Sequence, residues 1–225
     1  MLTFAQILNS KNPSWFVLID PDKWAISQIP KFIKTCCKSG ADAIFVGGST
    51  LEHQRFDEFV KTVKTHSPVP VVLFPGSFLQ LSENADALLF LSLLSGRNPQ
   101  YLIGEQVLAA PKVAKMKLEI IPTAYLLIDG GTQTATARVS DTNPISHNAI
   151  ETVVAHALAG KFFGMKTIYL EAGSGAKNPI SDEIIGAVKN ATNLPIIVGG
   201  GIKTSKTATQ KIRAGANAIV TGNIF

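Results

Sequence analysis

The chain has 225 residues, 46% of them apolar and 16% charged, and its 21 basic residues against 16 acidic ones give a formal charge of +5. This excludes a disordered chain and leaves ample material for a core; the lysines are scattered, without a basic run or interleaved aromatic residues, so nucleic-acid binding is not expected. The opening "MLTFAQILNSKNPSW" lacks a signal peptide's basic start and unbroken apolar centre, and no apolar run nears the roughly 20 residues that span a bilayer, so a cytoplasmic protein without stable membrane insertion is expected.

The first β-branched run, "WFVLID" at 15–20, ends in Asp20-Pro21-Asp22-Lys23, and a helix is expected at 26–38. That helix carries the only two cysteines, Cys36 and Cys37, adjacent and so poorly placed for a bridge; packing in a reducing compartment suits them. A second strand at 42–47 runs into Gly48-Ser49-Thr50 and a helix at 52–65. Strands at 70–74 and 86–91 follow, but the ten residues 75–84 between them are too few for a full helix, so the third helical layer is reduced. A helix at 99–115 and a strand at 118–128 come next. The connection 129–148 is long and polar, and reads either as a surface insertion or as a lid. A helix at 148–164, a strand at 167–171, a helix at 181–191, a strand at 195–199, a helix at 204–214 and a strand at 217–222 complete the alternation.

Eight apolar strands, most of them continuous, alternating with helices predict a modified TIM (β/α)₈ barrel, one domain over 1–225, without the last helix. The natural protein is therefore expected to be longer. A doubly wound sheet is the alternative, but its glycines belong in the first strand-to-helix turn, and here they come late.

In a barrel of this kind chemistry sits where the strands end. Glycine follows strands two, six, seven and eight, and main-chain N–H groups in the late turns suit a phosphate; the competing reading is that these glycines only make tight turns. Asp20 reads either as a helix cap or, opposite a phosphorylated ligand, as a Mg²⁺ ligand, with Ser49 as a second oxygen. Glu171 shares a strand face with Tyr169, and a carboxylate facing a barrel mouth is costly unless used, as a general base or as an acceptor for substrate hydroxyls. His53, His66, His147 and His156 show no metal spacing. No nucleophilic triad can be assembled.

Taken together, "LIDPDK" at 18–23, "VGGST" at 46–50, "YLEAGSGA" at 169–176, "VGGGIKT" at 198–204 and "TGN" at 221–223 resemble the geranylgeranylglyceryl phosphate synthase family, in order along nearly the whole chain. The resemblance implies a prenyltransferase that joins a polyprenyl diphosphate, usually geranylgeranyl diphosphate, to the C3 hydroxyl of sn-glycerol 1-phosphate with Mg²⁺ as cofactor. It implies Asp20 and Ser49 as the metal site. It implies Tyr169, Leu170, Glu171, Ala172, Gly173, Ser174, Gly175, Gly200, Gly201, Gly222 and Asn223 as the glycerol phosphate site. Glu171 and Asp20 are the expected catalytic pair. Where some relatives have a lysine this chain has Leu18, so Lys23 or Arg97 is expected to meet the diphosphate. The "DPDK" and "EAGSGA" forms resemble the larger, archaeal-type branch, which has bacterial members.

A prenyl chain needs an apolar groove, for which the reduced third layer offers an opening and Phe78, Leu79, Tyr101 and Tyr125 are candidate walls. A phosphosugar isomerase or synthase and a non-catalytic lipid- or metabolite-binding barrel are the alternatives. Apolar helix positions over 150–159 lead us to expect a homo-oligomer.

Overall fold

The computed structural model describes residues 2–51 and 55–222. Eight strands, β1 (Ser14–Ile19), β2 (Ala43–Val46), β3 (Val71–Leu73), β4 (Ala87–Leu93), β5 (Glu119–Leu127), β6 (Thr167–Glu171), β7 (Ile196–Gly199) and β8 (Ala218–Thr221), pair in parallel, each with the next. β8 returns to β1, with Val17 opposite Thr221, and closes the barrel. Each strand overlaps the run expected for it, although β1 starts one residue earlier and β4 runs two residues further. β2, β3, β6, β7 and β8 are buried at every position, which is why they read as unbroken apolar runs.

Alternate strand residues fill the interior, among them Phe16, Phe45, Leu89, Tyr125, Tyr169 and Ile197. The others face outward into two shells, one behind β1 to β4 and one behind β5 to β8. A short helix that sequence patterning missed, α1 (Phe4–Leu8), plugs the bottom: Phe4 packs 5.3 Å from Phe16 and 5.6 Å from Phe45, ring centre to ring centre. Glu119, at the start of β5, accepts the N–H groups of Phe4 and Ala5 at 2.7 and 3.1 Å and holds the plug in place. The interior is thus sealed below.

Around the barrel run α2 (Ile29–Lys38), α3 (Phe56–His66), α4 (Glu105–Val113), α5 (Ala135–Ser140), α6 (Ile150–Phe162), α7 (Asp182–Thr192) and α8 (Ser205–Arg213). Ser181 and Thr204 accept the N–H groups of Ile184 and Thr207 and start α7 and α8 where their hydroxyls suggest. α2 begins later than expected because 26–28 form a 3₁₀ turn, and a π turn over Gln100–Gly104 precedes α4. No helix lies between β3 and β4; residues 75–84 form a strap instead. The connection 129–148 is not structureless, since it contains α5 and returns to the barrel through a bridge between Ile145 and Ile128. Among the described residues no helix is long and apolar enough to cross a membrane.

Candidate active site

The open end of the barrel holds a cavity of about 590 Å³ that passes from the late strand ends, under α5, to the gap beside the strap. Its walls change character along the way. Asp20, Ser49, Glu171, Ser174, Gly175, Gly200, Gly201 and Gly222 line the polar end, whereas Phe78, Leu81, Leu88, Phe90 and Ala109 line the other. Leu88 lies on the outward face of β4, so the cavity leaves the barrel through the layer that lacks a helix.

Glu171 ends β6 and is only 8% exposed. Its Oε1 accepts the N–H of Gly173 at 2.6 Å. Burial pushes the carboxyl up to about 7, against the opposing pull of that N–H and of the nearby Tyr169 hydroxyl. Tyr169 is clamped by rings, stacked on Phe74 at 5.0 Å and tilted against Tyr125 at 5.3 Å. Burial and the Glu171 carboxylate raise its phenol well above the usual range. Its buried hydroxyl lies beside the Glu171 carboxyl.

The glycine run after β7 has a different origin from the one its sequence suggests. A Cβ on Gly199 would lie 2.5 Å from the Tyr169 hydroxyl and 2.7 Å from Glu171 Oε2; on Gly200, whose φ is +84°, it would lie 2.6 Å from the Gly173 nitrogen. The chain's own acid and phenol occupy that space. The two glycines let β7 press flat against the end of β6, and so fix the carboxylate. Around it, the N–H groups of Ser174, Gly175, Gly200 and Gly201 meet no protein acceptor among the described residues. Such donors suit an oxyanion.

Asp20 is a cap, as one of its two readings had it, and it also faces the cavity. Oδ1 caps the turn at Asp22 N (3.1 Å), Oδ2 pairs with Lys23 at 3.0 Å, and the carboxylate lines the cavity. It lies so close over Gly48 that a Cβ there would be 2.8 Å from Oδ1. Ser49 Oγ meets Thr136 Oγ1 of α5 at 3.1 Å, so the long connection folds down over the mouth and is not a loose insertion. Among the described residues no cluster of three or more His, Cys, Asp or Glu could hold a metal. One carboxylate and one hydroxyl beside a phosphate-sized space still fit Mg²⁺, which takes most of its oxygens from substrate and water.

Other expected residues fall less centrally. The side chains of Leu170 and Ala172 point into the outer core and the N–H of Gly173 is spent on Glu171, so these three offer the cavity main chain at most. Arg97 is corrected: its guanidinium binds the carbonyls of Leu94 and Gly96 and contacts His156, away from the cavity. Lys23 does line it, and so does Lys203, which sequence reading passed over. Phe78, Tyr101 and Tyr125 are wall residues as expected, but Leu79 is 60% exposed and outside the cavity. His66, His147 and His156 are not on the wall; His53 and Asn223 lie outside the described residues. Cys36 and Cys37 are unpaired, the first buried.

A buried second layer went unread. Gln80, on the strap, is fully enclosed, and its amide bonds to the loops after β2 and β3. Phe74 and Thr136 also line the cavity. The position of Phe74 just past a strand end was a signal that could have found it. Nothing in the sequence marks Gln80.

This geometry has close counterparts. A profile of the PcrB family matches residues 5–225. The geranylgeranylglyceryl phosphate synthase of Zunongwangia profunda is 47% identical, over 93% of this chain and 89% of that protein. That of Pyrococcus horikoshii is 44% identical, over 92% and 81%. The crystal structure of (S)-3-O-geranylgeranylglyceryl phosphate synthase from Thermoplasma acidophilum, in complex with its substrate sn-glycerol-1-phosphate, superposes with a TM-score of 0.94 at 36% identity, covering all of this chain and 92% of the other. With a family profile that spans the barrel and relatives this similar over nine-tenths of its length, the chain belongs to the PcrB family, that of the geranylgeranylglyceryl phosphate synthases.

Proposed function

We propose that this protein transfers a polyprenyl group from its diphosphate, geranylgeranyl diphosphate being the reference donor, to the C3 hydroxyl of sn-glycerol 1-phosphate. The observation that carries the reading is the two-ended cavity: a buried carboxyl near neutrality beside unpaired N–H donors at one end, and an apolar exit through the barrel wall at the other.

Glycerol phosphate binds with its phosphate on the N–H groups of the β6 and β7 turns, where the main chain comes closest. Its C3 hydroxyl lies against Glu171. The hydroxyl oxygen forms a bond to C1 of the prenyl chain as the bond from C1 to the diphosphate oxygen breaks; the hydroxyl proton goes to Glu171, and the bonding pair leaves with pyrophosphate. A base with a pKa of about 7 is matched to that task at neutral pH. Asp20 and Ser49 would hold Mg²⁺, which supplies charge neutralisation on the departing diphosphate. Lys23, paired with Asp20 and on the cavity wall, adds a second cation there. The tail runs between the strap and α4, where each buried CH₂ contributes about 0.8 kcal/mol.

The walls argue against a phosphosugar isomerase, which needs an open polar mouth; here one end of the cavity is walled by Leu, Phe and Ala. Association into a homo-oligomer is supported by the surface groove between α6 and α7 lined by Ile150, Val154, Leu158 and Ala187, and a cytoplasmic site by the unpaired cysteines. Incubating the purified protein with Mg²⁺, glycerol 1-phosphate and polyprenyl diphosphates of graded length, and identifying the lipid by mass, tests the reading. An ether-linked prenylglyceryl phosphate supports it. Failure to release pyrophosphate with any donor overturns it.

A further inference from the structure

The strap that replaces the missing helix is more than a gap. It is tied to α4 at two points: Glu105 accepts the N–H of Phe78 at 2.7 Å, and Lys112 donates to the carbonyl of Leu81 at 3.1 Å. Between those points stands Gln80, with no exposed surface. Its Oε1 accepts the N–H groups of Gly48 and Gly76, both at 3.2 Å, and its Nε2 donates to the carbonyls of Gly48 and Thr50, both at 2.9 Å. A side-chain amide has two donors and two acceptor sites, and all four are used.

The consequence falls on Gly48. Both its N–H and its carbonyl are held by one side chain, which fixes the peptide units on either side of its Cα. That Cα is the surface against which the Asp20 carboxylate lies. The next residue is Ser49. We propose that Gln80 is a positioning residue for the diphosphate end of the site: it sets the loop after β2 in the one orientation that lets Asp20 and Ser49 present their oxygens together. Because the same strap carries Phe78 and Leu81, which wall the apolar channel, Gln80 also sets the register between the head group and the tail of one donor molecule. The inference rests on the reading of Asp20 and Ser49 given above, and it adds a residue that touches no reacting atom.

The test is binding of inorganic pyrophosphate with excess Mg²⁺ to the full chain by titration calorimetry, compared with binding of glycerol 1-phosphate. Gln80→Met keeps the length of the side chain and removes all four hydrogen bonds; Gln80→Glu keeps the two acceptor bonds and removes both donors. We expect Gln80→Met to weaken pyrophosphate binding about tenfold or more, Gln80→Glu to weaken it too, and both to leave glycerol 1-phosphate binding within about twofold. A general loosening of the fold would weaken both ligands together, and that result overturns the proposal. So does unchanged pyrophosphate affinity in either folded variant while Asp20→Asn reduces it. If wild type and Asp20→Asn bind pyrophosphate equally, it is the metal-site reading itself that fails, and the positioning role falls with it. Should Gln80→Met not fold, Gln80→Glu alone decides by the same comparison.

Discussion

The two ends of the cavity are built in opposite ways. At the acceptor end, β6 and β7 approach so closely that glycine is required at Gly199 and Gly200, and the site consists of main-chain N–H groups and one buried acid. At the donor end the strap is joined to the β2 loop and to α4 by polar side chains, Gln80, Glu105 and Lys112, which span from one segment to another. A site made of backbone fixes a small, rigid anion and tolerates no added atoms. One made of bridging side chains frames an apolar space between the segments it joins. A cradle of N–H donors for glycerol phosphate and an apolar channel for a prenyl tail are what the proposed reaction asks of each.

The largest effect that would sharpen this contrast is at Glu171. Glu171→Gln keeps the shape and the contact with Gly173 but cannot take a proton, so kcat should fall by about 10²- to 10⁴-fold with little change in glycerol phosphate affinity. Equal losses in binding and rate would assign the residue to binding alone. The wild-type rate should rise with pH through about 7, and the residual rate of the variant should lack that step.

Next in size is Gly200→Ala. Its Cβ meets the Gly173 nitrogen and its φ of +84° disfavours any side chain, so a strain of about 1–3 kcal/mol is expected, with KM for glycerol phosphate raised more than KM for the prenyl donor. The reverse ranking in steady-state kinetics would show that the late turns do not hold the acceptor. Asp20→Asn should do the opposite, raising the Mg²⁺ concentration for half-maximal rate by about tenfold while sparing the acceptor.

The acceptor end also carries a stability cost. Burial raises the Glu171 carboxyl from the ordinary 4.5 to about 7, so the folded state binds its proton more tightly than the unfolded chain does. Stability from this group is full below about 4.5 and declines as pH rises towards 7, by the order of a few kcal/mol. In denaturant melts the Gln variant should therefore gain on the wild type between pH 5 and pH 8, and parallel curves would contradict the assigned burial. The smallest effect belongs to the donor end: Phe90→Ala, on the half-buried channel wall, should raise KM for a 20-carbon donor by no more than about tenfold and leave the acceptor untouched.

What sequence alone revealed follows the same division. Strands buried on both faces announce themselves, so all eight were legible, and the ten residues 75–84 were visibly too few for a helix. α1, with five residues, and α5, with six, are too short to show a helical period, and the lid went unrecognised as a folded element. Glu171 stood out because a carboxylate ends an apolar strand. The glycines stood out too, but their main neighbours are Tyr169, Glu171 and Gly173, a fact about two strands that one strand's sequence does not contain. Gln80 is the extreme case: a polar residue in a polar-looking loop, three of whose four hydrogen bonds go to residues 30 or more positions away.

A structure with glycerol 1-phosphate and a prenyl thiodiphosphate bound together tests the two-ended cavity most directly. The account predicts phosphate oxygens on the N–H groups of Gly175, Gly200 and Gly201, the C3 hydroxyl within hydrogen-bond reach of Glu171, and the tail leaving between Leu81 and Phe90. A phosphate held elsewhere, or a tail that stays inside the barrel, would contradict it.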